Sequence, residues 1–300
     1  MEKAELIAVD WGTTRFRAFL VAADGVVLAK TVADDGILSV VPGGFPAVLA
    51  KHCGAWLANN PDIQVVMAGM VGSRNGWIEA PYRQCPATVS DLAASMISVS
   101  YDERRIVWIV PGLSTRDSSG TPDVLRGEET LAIGTGLTSG LVVLPGTHSK
   151  WVRMDHGRIS GFSTFMTGEL YATFLSHTIL GRLREEPDDQ AGFAKGLEAA
   201  GGTGGLSHQA FSARTRVLMG DMSGRAVAAY ISGLLIGTEI REGLAMAPDA
   251  GEIIVVAEGA IAESYELAFR AKNQRVTFMA PDTCFIEGLQ RLGASRLGKN

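Results

Sequence analysis

The chain is 300 residues long, 46% apolar and 20% charged, with a formal net charge of −5. That length suits about two domains with sizeable cores, while the acidity argues against a nucleic-acid surface or an anionic-membrane patch. No apolar run reaches the ~18 residues of a membrane span, and three scattered cysteines (Cys53, Cys85, Cys284) make neither a disulfide framework nor a zinc pattern.

In chain order, strands are predicted near 5–10, 15–22 and 26–33, with Asp24-Gly25 turning into the third. A helix near 43–59 follows, opened by Pro42-Gly43-Gly44 and closed by Asn59-Asn60-Pro61. Short apolar runs predict buried strands at 64–68 and 106–110. The Gly-, Pro- and Ser-rich stretch between them, 69–100, reads as irregular. The second half repeats the order. Strands are expected at 141–145, 150–154 and from Arg158, then helices near 167–182 and 222–246. A strand at 252–257, a helix near 260–272, a strand at 275–279 and a helix near 283–295 complete it. Segment 184–222 departs from this pattern. Its acidic run 185–189 and its Gly201-Gly202-Thr203-Gly204-Gly205 predict a mobile insertion.

Strands alternating with helices imply an α/β fold with mainly parallel sheets. Residues 1–135 are expected as an N-terminal domain and 136–300 as a C-terminal domain, with the last helix able to pack back on the first. Two such domains would enclose a cleft.

The chemistry concentrates in a few blocks. In Asp10-Trp11-Gly12-Thr13-Thr14 an aspartate ends an apolar strand and a tight Gly-Thr-Thr turn follows. Backbone N–H groups and hydroxyls in such a turn can hold phosphate oxygens, and the aspartate can hold Mg²⁺ through water. Pro145-Gly146-Thr147-His148-Ser149-Lys150 occupies the equivalent place in the second half, so two hairpin tips could grip one triphosphate. Arg126-Gly127-Glu128-Glu129-Thr130 opens a helix, where acidic residues also suit the macrodipole. One of its carboxylates could serve as a general base. Neighbouring helical residues point about 100° apart, and spacing does not decide between Glu129, the first candidate, and Glu128. Gly69–Tyr82 combines backbone freedom with Ser73, Arg74, Trp77, Glu79 and Tyr82. An arginine there could grip a carboxylate and a tryptophan could stack on a sugar chain. Gly259, between a strand and a helix, would let a flat base approach the backbone. The small residues Ala228, Ala229, Ser232, Gly233 and Gly237 predict close helix packing. Walker A and a GxSxG elbow are absent.

The duplicated order and the Asp10–Thr14 block resemble the actin/hexokinase/Hsp70 ATPase superfamily. Within it the chain is similar to the 2-dehydro-3-deoxygalactonokinase (2-keto-3-deoxygalactonate kinase) family. The matching blocks are Val9–Thr14, Gly69–Arg74 with Gly76-Trp77 and Glu79–Tyr82, Arg126–Thr130, Leu144–Trp151 and Met166–Leu170. Ala257-Glu258-Gly259-Ala260 departs locally, since the superfamily's adenosine motif more usually has Gly-Gly.

The resemblance implies two ribonuclease H-like domains and ATP-dependent phosphorylation, with Mg²⁺, of 2-dehydro-3-deoxy-D-galactonate at its 6-hydroxyl. It implies a catalytic set of Glu129 or Glu128, Asp10 and Lys150, with Asp10 as the metal residue. Nucleotide contacts would come from Asp10, Gly12, Thr13, Thr14, Gly146, Thr147 and Gly259. Ser73, Arg74, Trp77, Glu79, Tyr82, Arg126 and His148 would stand on the substrate side, with Arg74 on the acid's carboxylate. Partners would be the sugar acid and ATP, with a homo-oligomer allowed. A reducing cytoplasm is expected from the three scattered cysteines, and no basic-then-apolar signal peptide is read. The rivals are a kinase for another acid such as 2-dehydro-3-deoxygluconate, and a non-catalytic ATP-dependent switch.

Overall fold

The computed structural model describes residues 3–298. The apolar N-terminal run forms β1 (Ala4–Trp11), and β2 (Phe16–Ala22) and β3 (Val27–Ala33) continue it as an antiparallel meander. α1 (Phe45–Asn59) carries Pro46 in its first turn, where a missing N–H is harmless. It leads to β4 (Gln64–Ala68), parallel to β1 with Asp10 opposite Ala68. Segment 69–100 is more regular than its composition predicts. It holds β5 (Arg83–Gln84), β6 (Ala87–Thr88), α2 (Val89–Ala94) and β7 (Ile97–Ser100). A capping box starts α2: Asp91 N–H donates to Thr88 Oγ1 at 3.1 Å, and Thr88 N–H to Asp91 Oδ2 at 3.0 Å. β8 (Ile106–Ile109) lies parallel to β4, and the hairpin β9 (Leu113–Arg116) and β10 (Pro122–Leu125) precedes α3 (Glu128–Gly134).

The second half begins with β11 (Gly140–Leu144), β12 (Ser149–Asp155) and β13 (Arg158–Phe165). α4 (Thr167–His177) stops five residues short of its predicted end, because Thr178 turns extended and its hydroxyl bonds Phe174 O. The expected mobile insertion is instead two helices, α5 (Gly192–Ala199) and α6 (Gly205–Leu218). α7 (Val227–Met246), β14 (Ile253–Val256), α8 (Gly259–Ala271), β15 (Thr277–Met279) and α9 (Pro281–Arg296) complete the chain.

The elements fall into two units. Met1–Ser139, Val152–Phe162 and Ala280–Asn300 make the first; Gly140–Trp151 and Ser163–Met279 make the second. In the first unit the sheet order is β3-β2-β1-β4-β8-β7, beside a small β10-β9-β5 sheet. Ile7, Val9, Val65 and Met67 pack with Leu49, Cys53 and Leu57 of α1. In the other large sheet the run β15-β14-β11-β12-β13 repeats the order β8-β4-β1-β2-β3, and β14 is parallel to β11 and to β15. The second unit has its own cores, one around Trp151, Ile240, Tyr265 and Phe269, the other around Tyr230, Ile231 and Leu234. α5 lies directly on α7, where a Cβ on Gly233 would sit 2.1 Å from Phe193 O. That contact orders the 184–222 segment: glycine lets the backbones meet, and the apolar cluster holds them.

Candidate active site

In an open α/β sheet, loops beyond the carboxyl ends of parallel strands gather the functional groups. β1 ends at this edge in Asp10 and Trp11. Gly12 N–H donates to Arg15 O at 2.9 Å, closing the turn. The carbonyls of Gly12, Thr13 and Thr14 accept from Ile37, Leu38 and Gly36 N–H, while both threonine side chains stay exposed. Gly36 is required here, because a Cβ on it would lie 2.3 Å from Thr14 C.

Asp10 is half-buried and faces Arg17, its cross-strand partner. Arg17 Nε donates to Asp10 Oδ2 at 3.0 Å, with Nη2 on the same oxygen, and Nη1 reaches Asp282 Oδ1 at 3.1 Å. Lys30 also binds Asp282. Asp10 Oδ1 points to Gly69, where a Cβ would stand 3.3 Å away, and a Cβ on Gly127 would stand 3.2 Å from Gly69 Cα. The end of β1, the loop after β4 and the start of α3 therefore meet. Among the described residues no three His, Cys, Asp or Glu side chains converge as a metal cage. The single carboxylate of Asp10 still fits Mg²⁺, which commonly takes one or two protein carboxylates with phosphate oxygens and water.

The two glutamates differ. Glu129 is fully buried; its Oε2 accepts from Gly127 N–H at 2.7 Å, and its Oε1 has no hydrogen-bond partner among the described residues. Burial, and then the neighbouring Glu128, push its carboxyl up to about 8. Glu128 is half-buried and its Oε2 accepts from Arg126 N–H at 2.9 Å.

The loop residues divide into two groups. Arg74 and Trp77 line a cavity of about 320 Å³ with Val40, Phe45 and Asn75. Trp77 stacks on Phe45 at 6.0 Å, and Phe45 meets Trp11 edge-on at 5.3 Å, so an aromatic row links this cavity to the end of β1. Ser73 Oγ is turned to Met70 O, and Glu79 is exposed. Tyr82 belongs with Arg126, whose guanidinium lies 4.4 Å from the ring centre and donates to Ala80 O. Arg126 Nε and Nη1 are buried without hydrogen-bond partners among the described residues.

In the second unit Gly146, Thr147 and His148 form an exposed corner between β11 and β12. Its supports were not evident from the sequence. Glu169 N–H donates to Thr147 O at 3.0 Å and the Glu169 carboxylate binds the His148 ring. Gly168 lies so close that a Cβ would fall 2.6 Å from Gly146 O. Lys150 is buried, with Nζ on His148 O at 3.0 Å. Gly259 starts α8 at φ +63 with open space beside it. Arg17 and Gly36 were given no role by the sequence, and Gly168 stood only inside the matching block Met166–Leu170. The signal that could have found Arg17 is its place opposite Asp10 across the hairpin.

The family described as 2-keto-3-deoxy-galactonokinase matches residues 10–292. The 2-dehydro-3-deoxygalactonokinase of Escherichia coli (strain K12) is 35% identical over 292 residues, spanning 96% of this chain and 97% of that protein. The crystal structure of a Sinorhizobium meliloti protein assigned as a 2-dehydro-3-deoxygalactonokinase is 34% identical, with a TM-score of 0.88 over 96% of this chain and 98% of that one. The activator of 2-hydroxyisocaproyl-CoA dehydratase from Clostridium difficile, solved with ADPNP, is 13% identical at a TM-score of 0.51 over 98% and 96% of the chains, a likeness of fold alone.

Proposed function

The chain belongs to the 2-keto-3-deoxy-galactonokinase family, and from that premise we propose how its residues divide the work of a sugar-acid kinase. The reaction moves the terminal phosphoryl group of ATP to a hydroxyl of 2-dehydro-3-deoxy-D-galactonate, giving the 6-phosphate and ADP. The observation that carries this reading is the meeting of Asp10, Gly69 and Gly127, which sets a carboxylate, a glycine-rich turn and an acidic helix start at one sheet edge.

Phosphoryl transfer asks little covalent chemistry of a protein; positioning and charge do most of it. Thr13 and Thr14 offer exposed hydroxyls to phosphate oxygens, as does Thr147 on its own corner. Gly12 and Gly146 let phosphate approach the backbone closely, and Gly259 opens the start of α8 toward the nucleoside. Asp10 would hold Mg²⁺, which when bound neutralises charge on the phosphates. Arg17, through its Nε and Nη2 bonds to Oδ2, holds the Asp10 carboxylate in one orientation. Lys150, through His148 O, stiffens the second corner and adds positive potential beneath it.

A general base must touch the hydroxyl it deprotonates. Glu129 is fully buried, and a carboxyl held near 8 keeps its proton at neutral pH. Glu128, half-buried and bonded to Arg126 N–H, is the more accessible of the two, which favours it for the base role. Arg74 would hold the acid's carboxylate in the cavity it shares with Trp77. Arg126, backed by Tyr82, brings two buried N–H groups that call for an anionic or carbonyl partner. Ser73 and Glu79, on the same loop as Arg74, would add polar contacts to the acid.

A coupled ADP-release assay against a panel of sugar acids tests the proposal. ADP formed with 2-dehydro-3-deoxy-D-galactonate supports it. Turnover confined to another acid moves the substrate, and no turnover with any acid removes the catalytic reading.

A further inference from the structure

Glu239 lies in the middle of α7, 2% exposed, on a helix whose other inward residues are almost all apolar or small. A carboxylate in such a place is costly unless donors surround it. Trp151, Tyr265 and Thr167, each from a different element, supply them, and the Ser149 hydroxyl bonds the carboxylate as well. Trp151 Nε1 of β12 donates to Oε1 at 2.9 Å, Tyr265 Oη of α8 donates to Oε2 at 2.8 Å, and Thr167 Oγ1 of α4 also donates to Oε2.

Two of these donors lead to the Gly146-Thr147-His148 corner. Tyr265 Oη lies 3.3 Å from Ser149 Oγ, which accepts from Gly146 N–H at 3.4 Å. Thr167 opens the turn that carries Gly168 against Gly146 O and sends Glu169 N–H to Thr147 O. One buried carboxylate thus ties down both sides of a corner whose own residues are exposed. We infer that Glu239 is a positioning residue for this corner, holding it in the shape that receives nucleotide phosphates. The inference rests on the reading of the corner given above. An apolar side chain of the same size would fill the space, but it would leave these buried donors without their shared acceptor and the corner without its brace.

Steady-state kinetics on Glu239→Gln, Thr167→Val, Tyr265→Phe and Thr147→Ala, with thermal unfolding in parallel, provide the test. Tyr265→Phe and Thr167→Val each remove one donor and keep the shape. They are expected to raise KM for ATP at least fivefold while KM for the sugar acid stays within twofold, and Glu239→Gln is expected to raise it more. If Thr147→Ala raises KM for ATP and the other three lower Tm alone, Glu239 is a packing residue and the inference is overturned. If Thr147→Ala leaves KM for ATP unchanged, the corner is not a phosphate site and the reading beneath it falls first. Should Glu239→Gln not fold, the two donor variants decide.

Discussion

Asp10 and Arg17 stand directly opposite each other on β1 and β2, and Arg17 Nε holds Asp10 Oδ2 at 3.0 Å while Nη1 reaches Asp282 at 3.1 Å on the first turn of α9. Arg17 therefore fixes the direction of the carboxylate proposed to meet Mg²⁺. Asp10→Asn keeps the size and loses the charge. It is expected to lower kcat by at least a thousandfold, with circular dichroism unchanged and a stability loss of about 1 kcal/mol, since the pair is partly solvent-exposed. Near-normal turnover in Asp10→Asn would contradict the metal role.

Glu128→Gln and Glu129→Gln should separate the two carboxylates. Loss of a general base costs roughly 10²- to 10⁴-fold. That loss is expected in kcat for Glu128→Gln, with a much smaller change for Glu129→Gln. The reverse order would pass the role to Glu129.

The buried Glu129 also predicts a pH dependence of stability. Its carboxyl titrates near 8 in the folded chain against 4.5 ordinarily. Between those values the folded chain keeps a proton that the unfolded chain has released. The stabilisation is therefore complete below about pH 4.5 and is lost as pH rises through about 8, on the order of a few kcal/mol. Urea unfolding at pH 5 and pH 8.5 should show a clear fall for the parent and a flatter profile for Glu129→Gln. Parallel falls in both would remove Glu129 as the source.

Arg74→Ala is expected to raise KM for the sugar acid at least tenfold and to leave KM for ATP within twofold, because Arg74 lines the cavity with Trp77, and Thr13 and Thr14 are not among that cavity's lining residues. Equal effects on both constants would take Arg74 out of the substrate pocket.

Gly36→Ala tests the backing of the first turn. The new Cβ would meet Thr14 C at 2.3 Å and Thr13 O at 2.4 Å, backbone atoms that cannot swing aside. The turn must shift, so Tm should fall and KM for ATP should rise together. A variant with unchanged KM for ATP would show that the turn does not bind the nucleotide.

Outside 69–100, 113–125 and 184–222 the sequence by itself determined the order of the elements, because apolar runs and Gly, Pro and Asp turns are local signals. It also marked the Asp10–Thr14 and Pro145–Lys150 corners, where a polar turn interrupts a buried strand. It misread 69–100 and 184–222, where glycine and charge suggested loops. There the ordering comes from the Thr88–Asp91 capping box and from α5 lying backbone-to-backbone on α7. Only the tertiary structure could distinguish Glu129 from Glu128, since adjacent residues of one type differ in burial, not in letter. Likewise only the fold brings Glu239 to Thr167 and Tyr265, 72 and 26 residues away along the chain. A carboxylate's role depends on which donors surround it, and a linear pattern does not carry that information.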